Sequence, residues 1–213
     1  MRVVEIYESI QGEGSDVGMR AVFVRLWGCN MKCNRCDSRY TFEGPYRTMT
    51  VEQVVDEILT YDIPNVIITG GEPMLQRDEV EQLAAKLRDH LMYVSLETNG
   101  SIVPFNFSLF DRIVVSPKLQ SHLEYWLSKI QKRRKIILKI VSDGYTWGLG
   151  RYRMETLLPY RRLLDNPQVY FMPEGTTVEE LQQSAEGILT FIKYHHLRHV
   201  RISPRMHIVY NWR

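Results

Sequence analysis

The chain has 213 residues, of which 44% are apolar and 24% charged, and a formal net charge of +2. That length suits a single domain over residues 1–213 with a sizeable core. So small a charge builds no general polyanion-binding surface, so nucleic acid is not an expected direct partner. No apolar run approaches the roughly 18 residues that cross a bilayer, so no membrane association is expected, and the first residues lack the apolar region of a signal peptide. An odd, clustered set of three cysteines argues against a disulfide framework and for a reducing, cytoplasmic location.

Residues 21–26 read as a strand that leads directly into a loop carrying Cys29, Cys33 and Cys36. Thr50-Val-Glu-Gln53 has the form of a capping box, and Val51, Val54, Val55, Ile58 and Leu59 then recur at helical spacing. Residues 65–69 make a buried strand ending in Gly70-Gly71. Val80, Leu83, Ala84, Leu87 and Leu91 mark one face of the next helix. Further strands are expected at 93–97, 113–116, 136–141, 169–172 and 200–203. Thr177-Val-Glu-Glu180 opens a late helix whose apolar stripe is Val178, Leu181, Ala185, Ile188 and Ile192.

Repeated strand–helix alternation implies a parallel sheet with helical crossovers. Six or seven strands are too few for a complete (β/α)8 barrel, so the expected fold class is α/β, a partial, open β/α barrel with a mostly parallel six- to seven-stranded sheet. Ligands gather at the C-terminal ends of such strands. Those ends hold the cysteine loop, Gly-Gly-Glu-Pro, Glu-Thr-Asn-Gly, Ser-Pro-Lys and Ser-Pro-Arg.

The cysteine spacing is C-x3-C-x2-C. Three thiolates so placed can converge on one metal centre but cannot close a four-cysteine site. A structural zinc site normally takes four protein ligands, and none of the six histidines lies near the loop. An electron-carrying ferredoxin supplies four cysteines per cluster. The pattern therefore points to a [4Fe–4S] cluster with one iron left open for a reacting ligand. A non-catalytic zinc or Fe–S module is the competing class, and it would give a colourless zinc protein rather than a brown, oxygen-sensitive one. Beside such a ligand, Gly70 and Gly71 allow close backbone approach, and Glu72 can set the loop or accept from an ammonium.

C-x3-C-x2-C followed by Gly70-Gly71-Glu72-Pro73 after a strand resembles the radical S-adenosylmethionine superfamily. Within it, Gln11-Gly12-Glu13-Gly14, Arg25 in the following strand, Cys36-Asp37-Ser38 and Val115-Ser-Pro-Lys118 resemble the 7-carboxy-7-deazaguanine synthase family. The likeness extends through Leu96-Glu-Thr-Asn-Gly100, Phe171-Met-Pro-Glu-Gly175 and Ser203-Pro-Arg-Met-His207. It implies a lyase that converts 6-carboxy-5,6,7,8-tetrahydropterin to 7-carboxy-7-deazaguanine with loss of ammonia, for queuosine and related 7-deazapurines. In that chemistry the open iron chelates S-adenosylmethionine, and a 5′-deoxyadenosyl radical abstracts hydrogen at C6.

The resemblance also implies the site. Cys29, Cys33 and Cys36 bind the cluster, and Ser38 stands where the family places a threonine ligand to Mg²⁺. Arg35, Asp37, Gly70, Gly71, Glu72, Ser116, Pro117 and Lys118 bind S-adenosylmethionine. Ile10, Gln11, Gly12, Glu13, Arg25 and Thr69 bind the pterin, Arg25 offering a planar fork to its carboxylate. Arg35 occupies a position that is commonly aromatic in the superfamily, and its guanidinium plane can stack on adenine instead. Without the family likeness, Arg25 reads equally well as a structural ion pair. No catalytic side chain beyond these positioning groups is expected.

Flavodoxin or ferredoxin is the expected reductant. The basic run Lys129, Lys132, Arg133, Arg134 and Lys135 before a strand reads first as a solvated helix end, with docking of an acidic electron donor as its alternative use. The family implies a homodimer, and Tyr210 and Trp212 either cover the open side of the barrel or meet a second subunit. A glycyl-radical activating enzyme shares the cysteine spacing but lacks Gln-Gly-Glu-Gly, Arg25 and Ser-Pro-Lys. It is the nearest alternative.

Overall fold

The computed structural model describes residues 1–31, 33 and 35–211. The chain divides into two units, one of Met1–Gln11 and Gly18–Ile113, the other of Gly12–Val17 and Val114–Arg213.

The first unit contains β1 (Arg2–Ile10), β2 (Arg20–Leu26), α1 (Tyr40–Glu43), β3 (Arg47–Thr48), α2 (Val51–Leu59), β4 (Asn65–Gly70), α3 (Arg77–Asp89) and β5 (Tyr93–Thr98). Its strands lie in the order β5-β4-β2-β1-β3. Strands β2, β4 and β5 are parallel, whereas β1 runs antiparallel to β2 and to the short β3. In β4, Val66, Ile67 and Ile68 are fully buried, as expected of a central parallel strand covered on both faces.

Helix α2 begins as the capping box predicts: the Gln53 amide donates to Thr50 Oγ1 at 3.2 Å and the Thr50 amide to Gln53 Oε1 at 2.9 Å. It buries Val51, Val54, Val55 and Ile58, while Leu59 faces outward. Helix α3 buries Val80, Leu83, Ala84 and Leu87, and stops at Asp89. Leu91 is therefore not on its apolar face. It sits in a left-handed turn (φ 59°) with 92% of its surface exposed, and Met92 takes the buried place. Each fully buried leucine here contributes on the order of 2 kcal/mol, so Leu83→Ala would cost about 2–5 kcal/mol.

The boundary between the units falls inside β6 (Arg112–Val115). The second unit continues with α4 (Gln120–Ile130), β7 (Ile136–Ser142), β8 (Thr146–Trp147), β9 (Tyr152–Arg153), α5 (Arg161–Leu164), β10 (Val169–Pro173), α6 (Val178–Tyr194), β11 (Arg201–Ile202) and α7 (Met206–Val209). Strands β7, β10 and β11 are parallel, and β8 and β9 form a small antiparallel ribbon on β7. Every residue of β7 and β10 is buried. Helix α4 packs Leu123, Trp126, Leu127 and Ile130 inward.

Helix α6 starts where Thr177 Oγ1 accepts from the Glu180 amide at 3.2 Å. It buries Leu181, Ser184 and Ile188, with Val178 more than a third exposed. Ser184 is tolerated inside because its hydroxyl donates to the Glu174 carbonyl at 2.6 Å. The basic run at 129–135 lies at and beyond the solvent-facing end of α4. Tyr210 is exposed, and Trp212 lies outside the described residues. No helix of the described chain is long and apolar enough to cross a membrane.

Candidate active site

At the C-terminal ends of β2, β4 and β5 three loops of the first unit are laced together. The Gly71 amide donates to the Leu26 carbonyl at 3.2 Å and the Glu72 amide to the Gly28 carbonyl at 2.8 Å. These bonds leave no room for side chains. A Cβ on Gly70, whose φ is 143°, would lie 2.3 Å from the Leu26 carbonyl oxygen, and one on Gly71 would lie 2.2 Å from that of Gly28. The cysteine loop and the glycine pair are thus backbone against backbone.

Glu72, fully buried, sets this arrangement. Its Oε1 accepts from Thr98 Oγ1 at 2.7 Å and from the Met74 amide at 3.0 Å, and Oε2 accepts from the Asn99 amide at 2.6 Å. Asn99 Nδ2 in turn donates to Asn30 Oδ1 at 3.1 Å, and Asn30 Nδ2 to Ser101 Oγ at 2.9 Å. The motif Glu-Thr-Asn-Gly therefore ties β5 to the residue just after Cys29.

All three cysteines are free thiols, Cys33 buried and Cys29 and Cys36 partly so. Burial pushes the Cys29 thiol up, against the Met31 amide that donates to its sulfur at 3.4 Å. Among the described residues no three metal-ligating side chains form a closed set. The fit to a [4Fe–4S] cluster rests instead on donor chemistry, three soft thiols in one loop, and on the glycine cradle beside it. Ser38 Oγ donates to Asp37 Oδ1 at 2.8 Å, which pairs two hard oxygens of the kind Mg²⁺ takes. Arg35 is exposed in the same loop.

The residues assigned to the pterin fall into three groups. Arg25, opposite Glu5 in the β1–β2 register, donates from Nε to Glu5 Oε1 at 2.9 Å and from Nη2 to Tyr7 Oη at 2.7 Å. Its guanidinium lies 5.8 Å from the ring centres of both Tyr7 and Tyr40, and Tyr40 Oη donates to Glu5 Oε1 at 3.0 Å. The structural ion pair is therefore real. Burial opposes the Arg25 charge, but Tyr7, Tyr40 and Glu5 raise its pKa above the usual arginine value. Burial also pushes the Tyr40 phenol up to about 12, against the pull of Arg25.

A second group meets at Glu97, which was not expected as a site residue. Gln11 Nε2 donates to its Oε1 at 3.0 Å and Thr69 Oγ1 to its Oε2 at 3.0 Å. Ile10 ends β1 beside them, and the loop that follows closes through the Gln11 amide on the Met19 carbonyl at 2.8 Å. The signal was an acidic residue in the middle of Leu-Glu-Thr-Asn-Gly at a strand end.

The third group lies in the second unit. Glu13 is gripped by Lys139 and Arg205, two residues with no expected site role, and the Gly12 carbonyl accepts from the Met206 amide at 3.0 Å. Burial works against the Glu13 charge, yet Lys139, Arg205 and His207 outweigh it and hold the carboxyl at about 2. In the same unit Lys118 Nζ donates to Ser116 Oγ at 2.7 Å, beside buried Pro117.

Comparison with known proteins decides the class. Residues 27–186 match the Radical SAM superfamily. The 7-carboxy-7-deazaguanine synthase of Hyperthermus butylicus is 45% identical, with 98% of this chain and 92% of that protein covered. The chain belongs to the 7-carboxy-7-deazaguanine synthase family. A second family member, from Halobacterium salinarum, is 32% identical over 96% of this chain and 88% of its own length. The solved structure of QueE from Escherichia coli superposes with a TM-score of 0.65 at 20% identity, covering 95% of this chain and 92% of that one. The fold of the 7-carboxy-7-deazaguanine synthase family, an open and mostly parallel α/β partial barrel, is thus the fold of this chain. Membership makes the chain a radical S-adenosylmethionine lyase with a [4Fe–4S] cluster and S-adenosylmethionine as cofactors, and Mg²⁺ is consistent with the family.

Proposed function

We propose that the chain converts 6-carboxy-5,6,7,8-tetrahydropterin to 7-carboxy-7-deazaguanine with loss of ammonia, in the biosynthesis of queuosine and related 7-deazapurines. The observation that carries this reading is 45% identity to a named 7-carboxy-7-deazaguanine synthase along 98% of the chain. Cys29, Cys33 and Cys36 hold the cluster. Gly70, Gly71 and Glu72 shape the cradle for the methionyl part of S-adenosylmethionine, Ser116, Pro117 and Lys118 take its nucleoside part, and Arg35 and Asp37 complete its contacts. When bound, these cofactors supply a 5′-deoxyadenosyl radical that abstracts hydrogen from C6 of the pterin.

The remaining residues bind and orient. Arg25 meets the substrate carboxylate; it is held in place from Nε and Nη2 by Glu5 and Tyr7. An arginine so fixed loses little rotamer entropy on binding. Thr69 and Gln11, aligned by Glu97, and Glu13, with the backbone of Ile10 and Gly12, read the donor and acceptor edge of the pterin. Ser38 contributes a hydroxyl to Mg²⁺. Electrons arrive from a flavodoxin or ferredoxin, the working form is a homodimer, and the free thiols suit a reducing cytoplasm.

The test is anaerobic reconstitution with iron and sulfide, then turnover with reductant, S-adenosylmethionine and 6-carboxytetrahydropterin. Formation of 7-carboxy-7-deazaguanine is expected. Cleavage of S-adenosylmethionine without that product would remove the substrate assignment and leave the radical chemistry standing.

A further inference from the structure

Glu13 stands at the start of a short 3-10 turn in the loop that follows Gly12. Its two carboxylate oxygens are held by different cations. Lys139 Nζ, from the middle of β7, lies 2.5 Å from Oε2, and Arg205 Nε lies 3.2 Å from Oε1. The side chains of Lys139 and Arg205 keep only 8% and 4% of their exposure, and Glu13 keeps 14%. Arg205 is itself fixed by a second bond, from Nη1 to the Gly175 carbonyl at 2.8 Å. His207 Nε2 lies 3.8 Å from Glu13 Oε1.

The backbone repeats the grip. The Met206 amide donates to the Gly12 carbonyl at 3.0 Å and the Gly14 amide to Ser203 Oγ at 2.7 Å. A Cβ on Gly12 would come within 3.0 Å of both the His207 amide and its Nδ1. The loop carrying Glu13 and the segment carrying Arg205 are thus docked at van der Waals limits.

A buried ion pair is a weak source of stability, because desolvation consumes most of the attraction. What this one does is fix geometry. A carboxylate held at both oxygens by separate donors cannot turn about its last torsion, and while ionised it can only accept hydrogen bonds. The pterin edge assigned to Glu13 is rich in N–H donors, so an immobile acceptor is what its recognition requires.

We propose that Lys139 and Arg205 are positioning residues of the reaction, acting through Glu13: together they lock its carboxylate in the plane and direction that the pterin ring needs. The proposal rests on the reading of Glu13 as a substrate ligand. Outer partners that orient ligand-contacting groups in metal sites carry roughly 10- to 100-fold in affinity or activity, and the same scale is expected for the pterin here.

The experiment compares Lys139→Met, Arg205→Met, Arg205→Lys and Glu13→Gln, alone and with Lys139→Met and Glu13→Gln combined, in the reconstituted holoenzyme. Cluster absorbance and reductive cleavage of S-adenosylmethionine without pterin report an intact cofactor site. Lys139→Met and Arg205→Met should raise the pterin KM roughly 10- to 100-fold with a much smaller change in kcat, and Arg205→Lys should recover part of the loss. Lys139→Met added to Glu13→Gln should change KM by less than about threefold, since residues acting as one unit are not additive.

Additive losses, or KM values that stay at the wild-type level in both methionine variants while Glu13→Gln raises KM, would overturn the positioning role. If Glu13→Gln itself leaves KM unchanged, the failure is that of the substrate reading. Should Lys139→Met not fold, Arg205→Met carries the decision: it removes the hold on Glu13 Oε1, so an unchanged KM there, with Glu13→Gln raising KM, refutes the proposal.

Discussion

Replacing Glu72 by glutamine changes one atom in a fully buried side chain and keeps its shape. The native carboxylate accepts from Thr98 Oγ1, the Met74 amide and the Asn99 amide. A glutamine can keep its oxygen in only one of the two places. If the oxygen replaces Oε1, the new NH2 group faces the Asn99 amide, donor against donor across 2.6 Å. If it replaces Oε2, the NH2 group faces the Met74 amide and the Thr98 hydroxyl, which can turn to accept only by giving up its role as donor. Either way at least one charge-assisted bond is lost and a buried N–H is left without an acceptor. Each such loss costs about 1–3 kcal/mol, so the total is roughly 3 kcal/mol. For a chain of this size that corresponds to a fall in Tm of about 6–12 °C. Thermal unfolding of the metal-free, reduced protein, followed by circular dichroism, measures it without cofactor linkage. A melt within about 2 °C of wild type would refute the view that Glu72 holds the cysteine, glycine and β5 loops together.

Gly71→Ala forces a Cβ to within 2.2 Å of the Gly28 carbonyl oxygen, so the cradle must open; S-adenosylmethionine binding, measured by equilibrium dialysis, should weaken by at least about tenfold, or 1.4 kcal/mol. Arg25→Ala should spare the cluster, seen in its absorbance, while raising the pterin KM by roughly 100-fold, as loss of a charge-assisted bidentate contact does; equal loss of cluster and substrate binding would contradict its assignment. Glu13 makes stability depend on acid. Its carboxyl is lowered from 4.5 to about 2 in the folded chain, so its contribution is complete above about pH 5 and is lost as pH falls from the unfolded value through the folded one. Urea midpoints from pH 6 to pH 3 should therefore drop more steeply for wild type than for Glu13→Gln, with on the order of 3 kcal/mol at stake over the whole window.

Local signals in the sequence were legible wherever one element decides its own fate. The Thr50 and Thr177 caps formed as written, and the apolar run at 65–69 became a central strand, because capping and burial need only neighbours. Helix α4 carries an equally plain apolar pattern in Leu123, Trp126, Leu127 and Ile130, just upstream of the basic run that reads as a solvated helix end. Strand β1 was harder to see, since Glu5, Tyr7 and Ser9 interrupt its apolar residues. Those polar positions make sense only against β2, where Glu5 stands opposite Arg25. Leu91 misled because helical spacing continues two residues past the turn that ends α3. In the site, cysteine spacing and Gly-Gly-Glu-Pro announced the cofactor chemistry. What holds the site residues in place was hidden, because Glu97, Lys139 and Arg205 meet their partners only through tertiary structure.

The loop of residues 12–17 belongs with a unit whose other residues begin at Val114. During synthesis Glu13 leaves the ribosome early, while the cations that neutralise it follow 126 and 192 residues later. The second unit therefore cannot complete its charged interior until both ends of the chain have been made. Contacts of such long sequence separation slow folding. A fragment beginning after Ile113 would bury Lys139 and Arg205 with no Glu13 to meet them, so this half is unsuited to independent life as a domain.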